Sequence, residues 1–485
     1  MFRKAGCLVK DLHFFVHRGF SLDWLQLSLN PDSFKNGFQK QKEHQVTTVG
    51  LEQLCAEISS FQIAADIGRI SSISRGVLEV SGLSDKAAQA DLVEIKPKHA
   101  SARMGEVLNL SKDTVTILPD GDTTGVQIGD EVILHGGVSI APDDGWIGRV
   151  VDPMGQPLDG RPILRGVSGR KLRGEAINPT ERRPLGARLE TGLAVFNTLL
   201  PIVRGQRIGL FAGSGVGKST LLAKLARGLQ ADVVVIALVG ERGREVREFV
   251  ERVLGEEGMR RSVVVAATSD QSPMVRRRCA WTAMTIAEHF RDQGQHVLFL
   301  ADSVTRFAEA HREISLASGE AGNLRGFPPS TAHQITTLCE RAGPGAGSSG
   351  DITAVFSVLV AGSDMEEPVA DILRGVLDGH VVLDRKIAER GRFPAIDLLR
   401  SVSRALPDAA TDEENLLISK ARRLLGAYDR SEMMIRSGLY SAGNDAELDE
   451  AIQAWPLLDK FLTESEVSGT GASFEKLTAA MQTDA

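Results

Sequence analysis

The stretch Gln206-Arg207-Ile208-Gly209-Leu210-Phe211-Ala212-Gly213-Ser214-Gly215-Val216-Gly217-Lys218-Ser219-Thr220 constrains this chain more than any other. A short apolar run, Ile208 to Phe211, enters a glycine-rich turn, and Ser219 to Ala226 then opens a helix-forming segment. Strand, loop and helix in that order make a phosphate cradle. Gly213, Gly215 and Gly217 let the backbone bend so that successive N–H groups face one anion, and the new helix adds its positive end. The pattern predicts that Ala212, Gly213, Ser214, Gly215, Val216, Gly217, Lys218, Ser219 and Thr220 bind the phosphates of ATP. Lys218 sits on the outer phosphates, and the Ser219 hydroxyl ligates Mg2+. The motif ordinarily opens on glycine and here opens on Ala212, but its inner glycines and Gly-Lys-Ser core are intact.

A chain of 485 residues predicts more than one domain. Its 42% hydrophobic and 25% charged content is that of a soluble globular protein, and a net charge of -7 exerts no global pull on nucleic acid or anionic lipid. Cys7, Cys55, Cys279 and Cys339 are scattered without metal or redox spacing, which points to a reducing cytoplasmic compartment. No apolar run reaches the ~18–20 residues of a membrane helix. Arg3 and Lys4 are followed by Lys10, Asp11, His17 and Arg18, so the start is a poor signal peptide.

In chain order, residues 1–48 carry no motif and read as an N-terminal extension, disordered or an over-long start. Residues 49–138 read as a small N-terminal β-barrel domain, preceded by a short helix over Thr47 to Ser60. Gly68 to Gly82 alternates and breaks at glycines, and Thr114 to Leu118 and Asp130 to Leu134 continue the pattern. An oligonucleotide-binding barrel would need aromatic platforms and a basic stripe; both are missing, so a structural collar is the better reading.

Residues 139–406 read as the nucleotide-binding α/β domain, entered through a long connection over Gly145 to Arg188 rich in glycine, proline and arginine. Candidate buried strands are Val233 to Val239, Val263 to Ala267, Val297 to Ala301 and Thr353 to Val360. Glu245 to Leu254 places Val246, Phe249, Val250, Val253 and Leu254 on one helical face, a core-packing stripe. Residues 407–485 read as a small helical domain, with Asp412 to Glu464 rich in Glu, Leu, Ala and Lys and a turn at Ser468 to Gly471 before a last short helix.

Hydrolysis needs more than a cradle. Val297-Leu298-Phe299-Leu300-Ala301-Asp302 is an apolar strand ending on an acid, where an aspartate helps hold magnesium beside the phosphates. A strand-end acid is common by itself; the upstream cradle gives this one its meaning. Leu238-Val239-Gly240-Glu241 delivers a second carboxylate to the same sheet edge, where it can orient the attacking water. Glu and Arg ahead of a helix also serve as caps or surface pairs. The position after a central strand favours catalysis.

With these stretches in view, the sequence resembles the hexameric ATPases of bacterial flagellar protein export, relatives of the type III secretion ATPases and of rotary ATP synthase catalytic subunits. The matching stretches are Ala212 to Thr220, Gly240 to Phe249, Asp302-Ser303-Val304-Thr305-Arg306-Phe307-Ala308, Arg325-Gly326-Phe327-Pro328-Pro329-Ser330, Leu377 to Leu383 and Phe393-Pro394-Ala395-Ile396-Asp397. The resemblance spans about Leu51 to Leu462 and implies a RecA-like P-loop NTPase core between the barrel and the helical domain. It implies that Glu241 is the catalytic carboxylate, glutamine in non-catalytic rotary subunits. Arg242 would touch the outer phosphate, and Phe393 would pack on adenine where tyrosine is usual. Arg404 would be the arginine finger reaching a neighbour's nucleotide.

The same resemblance implies a homo-oligomer, a hexamer, at the cytoplasmic face of the inner membrane and peripheral to it. Its partners would be a central stalk protein, a regulatory peripheral-stalk protein, export substrates and chaperones, and no nucleic acid. The loop Glu320 to Ser330 would face the pore, with Arg325 and Phe327 toward the stalk. An injectisome ATPase and a rotary synthase subunit are the nearest alternatives; Asp445 to Leu458, without an acidic lever run, speaks against the second. An RNA-translocating helicase fits poorly with the net negative charge, and a regulatory subunit without turnover fits poorly with Glu241 and Arg404.

Overall fold

The computed structural model describes residues 64–360 and 365–482, together with Gln53 and Ile58. The extension read over residues 1–48 lies outside the described residues, as does most of the helix expected over Thr47 to Ser60, of which Gln53 and Ile58 are helical.

Alternation of apolar and polar residues closes the first six strands into a barrel. They are β1 (Asp66–Ser74), β2 (Val77–Ser81), β3 (Leu92–Lys96), β4 (Arg103–Leu110), β5 (Thr114–Pro119) and β6 (Glu131–Gly136), hydrogen-bonded in the order β1-β2-β5-β4-β3-β6. In β5, Val115, Ile117 and Pro119 point inward between half-buried Thr114, Thr116 and Leu118. Arg75 and Gly76 join β1 to β2 with φ of 51° and 78°, the left-handed pair that a two-residue hairpin turn requires.

Eight strands form the central sheet. They are β7 (Arg149–Val151), β8 (Arg207–Ala212), β9 (Val233–Glu241), β10 (Ser262–Thr268), β11 (His296–Asp302), β12 (Asp351–Leu359), β13 (Gly379–Leu383) and β14 (Ile396–Ser403), ordered β14-β13-β8-β12-β11-β9-β10-β7. All pairings are parallel except that of β13 with β14. Helices cover both faces, so the inner strands are buried along nearly their whole length, as in β9, where only Glu241 escapes full burial.

Side-chain alternation divides β9 between two cores. Val234, Ile236 and Leu238 pack with helix α1 (Lys218–Gly228) and with the C-terminal helices α6 (Asp412–Arg436), α7 (Ala446–Phe461) and α8 (Thr470–Met481). Val233, Val235, Ala237 and Val239 pack with α2 (Pro273–Asp292), α3 (Val304–Ala317), α4 (Ser330–Glu340) and α5 (Pro368–Val376).

Two expectations need correction. The connection over Gly145 to Arg188 supplies β7, an edge strand of the sheet, parallel to β10. Arg149 anchors it through Asp159 at 2.6 Å and the Pro162 carbonyl at 3.0 Å. Three residues are too few for a hydrophobic period to show, and the surrounding glycines and prolines hide them. The apolar stripe of Glu245 to Leu254 does pack inward at Phe249 and Leu254, but Phe249–Leu254 winds as a π-helix, not as a continued α-helix.

The barrel is tied to the nucleotide-binding domain through β4. Glu106, buried, accepts hydrogen bonds from Arg277 at 2.5 Å and Arg278 at 3.2 Å, both on α2. Leu108 packs with Met274 and Ile314, and the Asn109 amide donates to the Ser318 carbonyl at 3.0 Å. A polar chain continues from Arg277 through His311 and Ser330 to Glu320, at separations of 3.3, 2.8 and 2.6 Å. It reaches the loop between α3 and α4.

Candidate active site

The carboxyl ends of β8, β9 and β11 meet at one sheet edge, the place where open α/β sheets bind ligands. β8 ends at Ala212, and the turn to α1 uses left-handed glycines, with φ of 78° at Gly215 and 86° at Gly217. Val216 is buried and pins the turn from below, while Ser214 and Ser219 stay exposed. Lys218 opens α1, so the loop's amides and the helix N-terminus face the same side. A Cβ built on Gly217 would lie 3.3 Å from the Phe393 ring, which is 49% exposed. The aromatic face expected at the base therefore lies directly against the loop.

Lys218 Nζ donates to Asp302, which also accepts from the Ser357 hydroxyl at 2.8 Å. Asp302 is level with Leu238 across the β9–β11 ladder, and Glu241 stands beyond it on the same side. The β9–β10 register shifts between Val239 and Glu241, where Gly240 takes φ of 69°. That bulge re-aims the carboxylate at the end of the strand. Burial first, and then the Asp302 charge, push the Glu241 carboxyl up to about 7, against the opposing pull of Lys218. A carboxyl poised near neutrality in this position suits a group that must accept a hydrogen bond from water.

Lys218, Asp302, Glu241 and Phe393 are thus gathered around one loop. Arg242 is at the rim; its side chain is 76% exposed and pairs with Glu245 at 3.1 Å. Arg404 is elsewhere. Ala212 is paired with Leu383 and Leu383 with Ile396 at the cradle end, whereas Ser403 is paired with Gly379 at the opposite end. At ~3.3 Å per residue, that separates Arg404 from its own cradle by more than roughly 13 Å. Arg404 is exposed and donates to the Arg374 carbonyl at 3.1 Å, next to exposed Val402 and Leu399.

Two residues that motif reading did not single out belong to the same neighbourhood. Ser357 fixes one oxygen of Asp302. The stem of Arg306 lies 3.4 Å from where a Gly240 Cβ would be, and its Nε is buried without a partner. The signal for Arg306 was its place one turn into the helix that follows Asp302.

Ser219 and Asp302 fit a magnesium ion by donor chemistry: a hydroxyl and a carboxylate, both oxygen, beside the phosphates that would complete the set. The crowding of Asp302 and Glu241 around one lysine leaves negative charge for a dication to offset. Among the described residues no group of three or more His, Cys, Asp or Glu side chains could hold a metal alone.

Glu320 closes the loop ahead of α4 by accepting from the Ser330 backbone at 3.0 Å and its hydroxyl at 2.6 Å. Arg325 is exposed on that loop, and Phe327 is half-buried under the Arg312 guanidinium at 5.3 Å, so Phe327 is the less accessible of the two.

Three family models match the chain. They are the ATP synthase alpha/beta family beta-barrel domain over residues 63–136, the nucleotide-binding domain of that family over 192–403, and the T3SS EscN ATPase C-terminal domain over 410–483. The last match extends beyond Leu462, where the resemblance read from motifs ended. The flagellum-specific ATP synthase of Caulobacter vibrioides is 42% identical, covering 87% of this chain and 96% of its own length. That of Salmonella typhimurium is 40% identical over 85% and 92%. The structure of the assembled ATPase EscN from the enteropathogenic E. coli type III secretion system matches with a TM-score of 0.78 at 37% identity, covering 86% of this chain and all of that one. EscN in complex with its central stalk EscO gives 0.77 at the same identity and coverage.

Proposed function

We infer that this chain, which belongs to the flagellum-specific ATP synthases within the ATP synthase alpha/beta family, hydrolyses ATP to ADP and phosphate to drive protein export through a flagellar type III apparatus. The observation that carries this reading is the meeting of Lys218, Asp302 and Glu241 at one sheet edge beside the glycine loop. In the proposed reaction Lys218 leaves Asp302 for the outer phosphates. Glu241, ionised, accepts a hydrogen bond from the attacking water and holds it in line. Magnesium, held through Ser219 and Asp302, would supply charge neutralisation at the phosphates. Arg242 would turn from Glu245 to the outer phosphate, and Phe393 would pack on adenine.

The distance between Arg404 and its own cradle supports a site completed by a neighbouring copy, hence a ring, in this reading a hexamer. The domain division 49–138, 139–406 and 407–485 goes with it. Turnover per subunit, measured against protein concentration, should rise as rings form. A rate independent of concentration, from dilute monomer to assembled ring, overturns the shared site.

Among the described residues no helix is long and apolar enough to cross a membrane. In this reading the ring docks peripherally at the cytoplasmic face of the inner membrane, where a peripheral-stalk regulator, chaperones and export substrates reach it. The complex of EscN with EscO supports a central stalk for this chain also. With Arg325 exposed on the loop ahead of α4, Arg325→Ala should leave basal ATPase activity intact and remove its stimulation by the stalk protein. Undiminished stimulation makes the loop a plain connection. The EscN C-terminal model favours an injectisome ATPase as second reading; restoration of motility in a strain lacking its flagellar ATPase separates the two.

A further inference from the structure

Phe393 belongs to a short segment between β13 and β14, and the residues beside it are tied outward. Arg392 is half-buried in the segment's turn. It donates to the Ile396 carbonyl at 2.6 Å and pairs with Asp459 of α7 at 3.1 Å. Arg390 pairs with Glu432 of α6 at 3.0 Å. The two acids belong to different helices, yet those helices are locked together. Tyr428 of α6 stacks on Trp455 of α7 with ring centroids 4.5 Å apart and planes 17° from parallel. On its other side the segment meets the cradle, where the Phe393 ring leaves 3.3 Å to a Gly217 Cβ.

We propose that Arg392, with Arg390 in support, is a positioning residue that transmits the pose of the helical domain to the Phe393 ring and so sets affinity for the adenine end of the nucleotide. The inference rests on the reading of Phe393 as the adenine contact. An aromatic ring half-exposed on a short loop has rotational freedom to lose on binding; a backbone clamped by guanidiniums on one side and met by the loop on the other has already lost it. Of the two pairs, that of Arg392 with Asp459 is the better shielded, with the Arg392 side chain 11% exposed, and it is held more firmly than the half-exposed pair of Arg390 with Glu432. Because both acids stand on the helical domain, a displacement of that domain would be carried to the ring.

The test uses the full-length protein and two probes: ADP, which needs both ends of the site, and inorganic tripolyphosphate, which needs only the cradle. Arg392→Met and Asp459→Asn should each weaken ADP binding and raise KM for ATP about tenfold, with kcat changed less than about twofold and tripolyphosphate affinity unchanged. The double variant should be no worse than either single one, since both remove the same pair. Equal loss for ADP and tripolyphosphate would mean a general disturbance of the fold and overturn the proposal. So would normal ADP binding by both single variants. Phe393→Ala provides the separation. If it weakens ADP alone while Arg392→Met does not, the adenine reading stands and the clamp falls. If it leaves ADP affinity untouched, the adenine reading falls and takes the clamp with it.

Discussion

Glu241→Gln should lower the ATPase rate by ~10²–10⁴-fold while ATP remains bound. The substitution preserves the shape at the end of β9 and removes only the charge proposed to accept a hydrogen bond from water. Binding should survive because the cradle's grip comes from the loop amides, the α1 N-terminus and Lys218, none of which Glu241 holds in place. If affinity collapses along with the rate, Glu241 supports the fold and the catalytic carboxylate lies elsewhere. The raised proton affinity adds a second reading of the same variant. With its carboxyl at about 7 in the free protein, Glu241 is protonated below that pH and ionised above it. Thus kcat/KM for ATP should fall as pH drops through about 7 in the parent, and that limb should be missing in Glu241→Gln. A limb that persists unchanged belongs to another group.

Arg404→Ala should lose about 10³-fold in rate, near the low end of what arginine fingers supply. Within one copy, Arg404 is at the opposite end of the sheet from the glycine loop, so no side-chain rotation brings it to its own phosphates. Mixing Arg404→Ala with Lys218→Ala decides the matter. Each variant alone should lose nearly all turnover, and each keeps the half of the site that the other lacks. Some interfaces in a mixed ring then join an intact cradle to an intact finger, and activity partly returns. Mixed rings that form and stay inactive would assign Arg404 to packing.

The glycine loop was legible because its chemistry is local: three glycines, a lysine and a hydroxyl fall within one turn of chain. Asp302 and Glu241 were legible one step further out. Each ends an unbroken apolar run, and parallel strands flanked by helices put such ends at one edge. A small barrel followed from alternation and turn residues, whereas its closure by six strands, β3 and β4 among them, came only with the structure. The roles proposed for Phe393 and Arg404 come only from resemblance, since nothing in Arg392-Phe393-Pro394 or Ser403-Arg404 distinguishes them from surface residues.

Local pattern in this chain therefore determined most of the strands, turns and helices, though not β7 or the π-helical Phe249–Leu254, because φ preferences and apolar period act over a few residues. Tertiary structure decided what depends on distance between remote segments. Burial at the sheet edge raises the proton affinity of Glu241, and the β9–β11 register adds to it by bringing Asp302 near; a one-residue slip would turn those carboxylates to other faces. The β13–β14 pairing carries Arg404 away from its own cradle. The ion pairs Arg392–Asp459 and Glu106–Arg277 join domains whose partners are far apart in the chain. No period or motif encodes such pairs, because charge complementarity has no range in sequence and acts only once packing has excluded water between the partners.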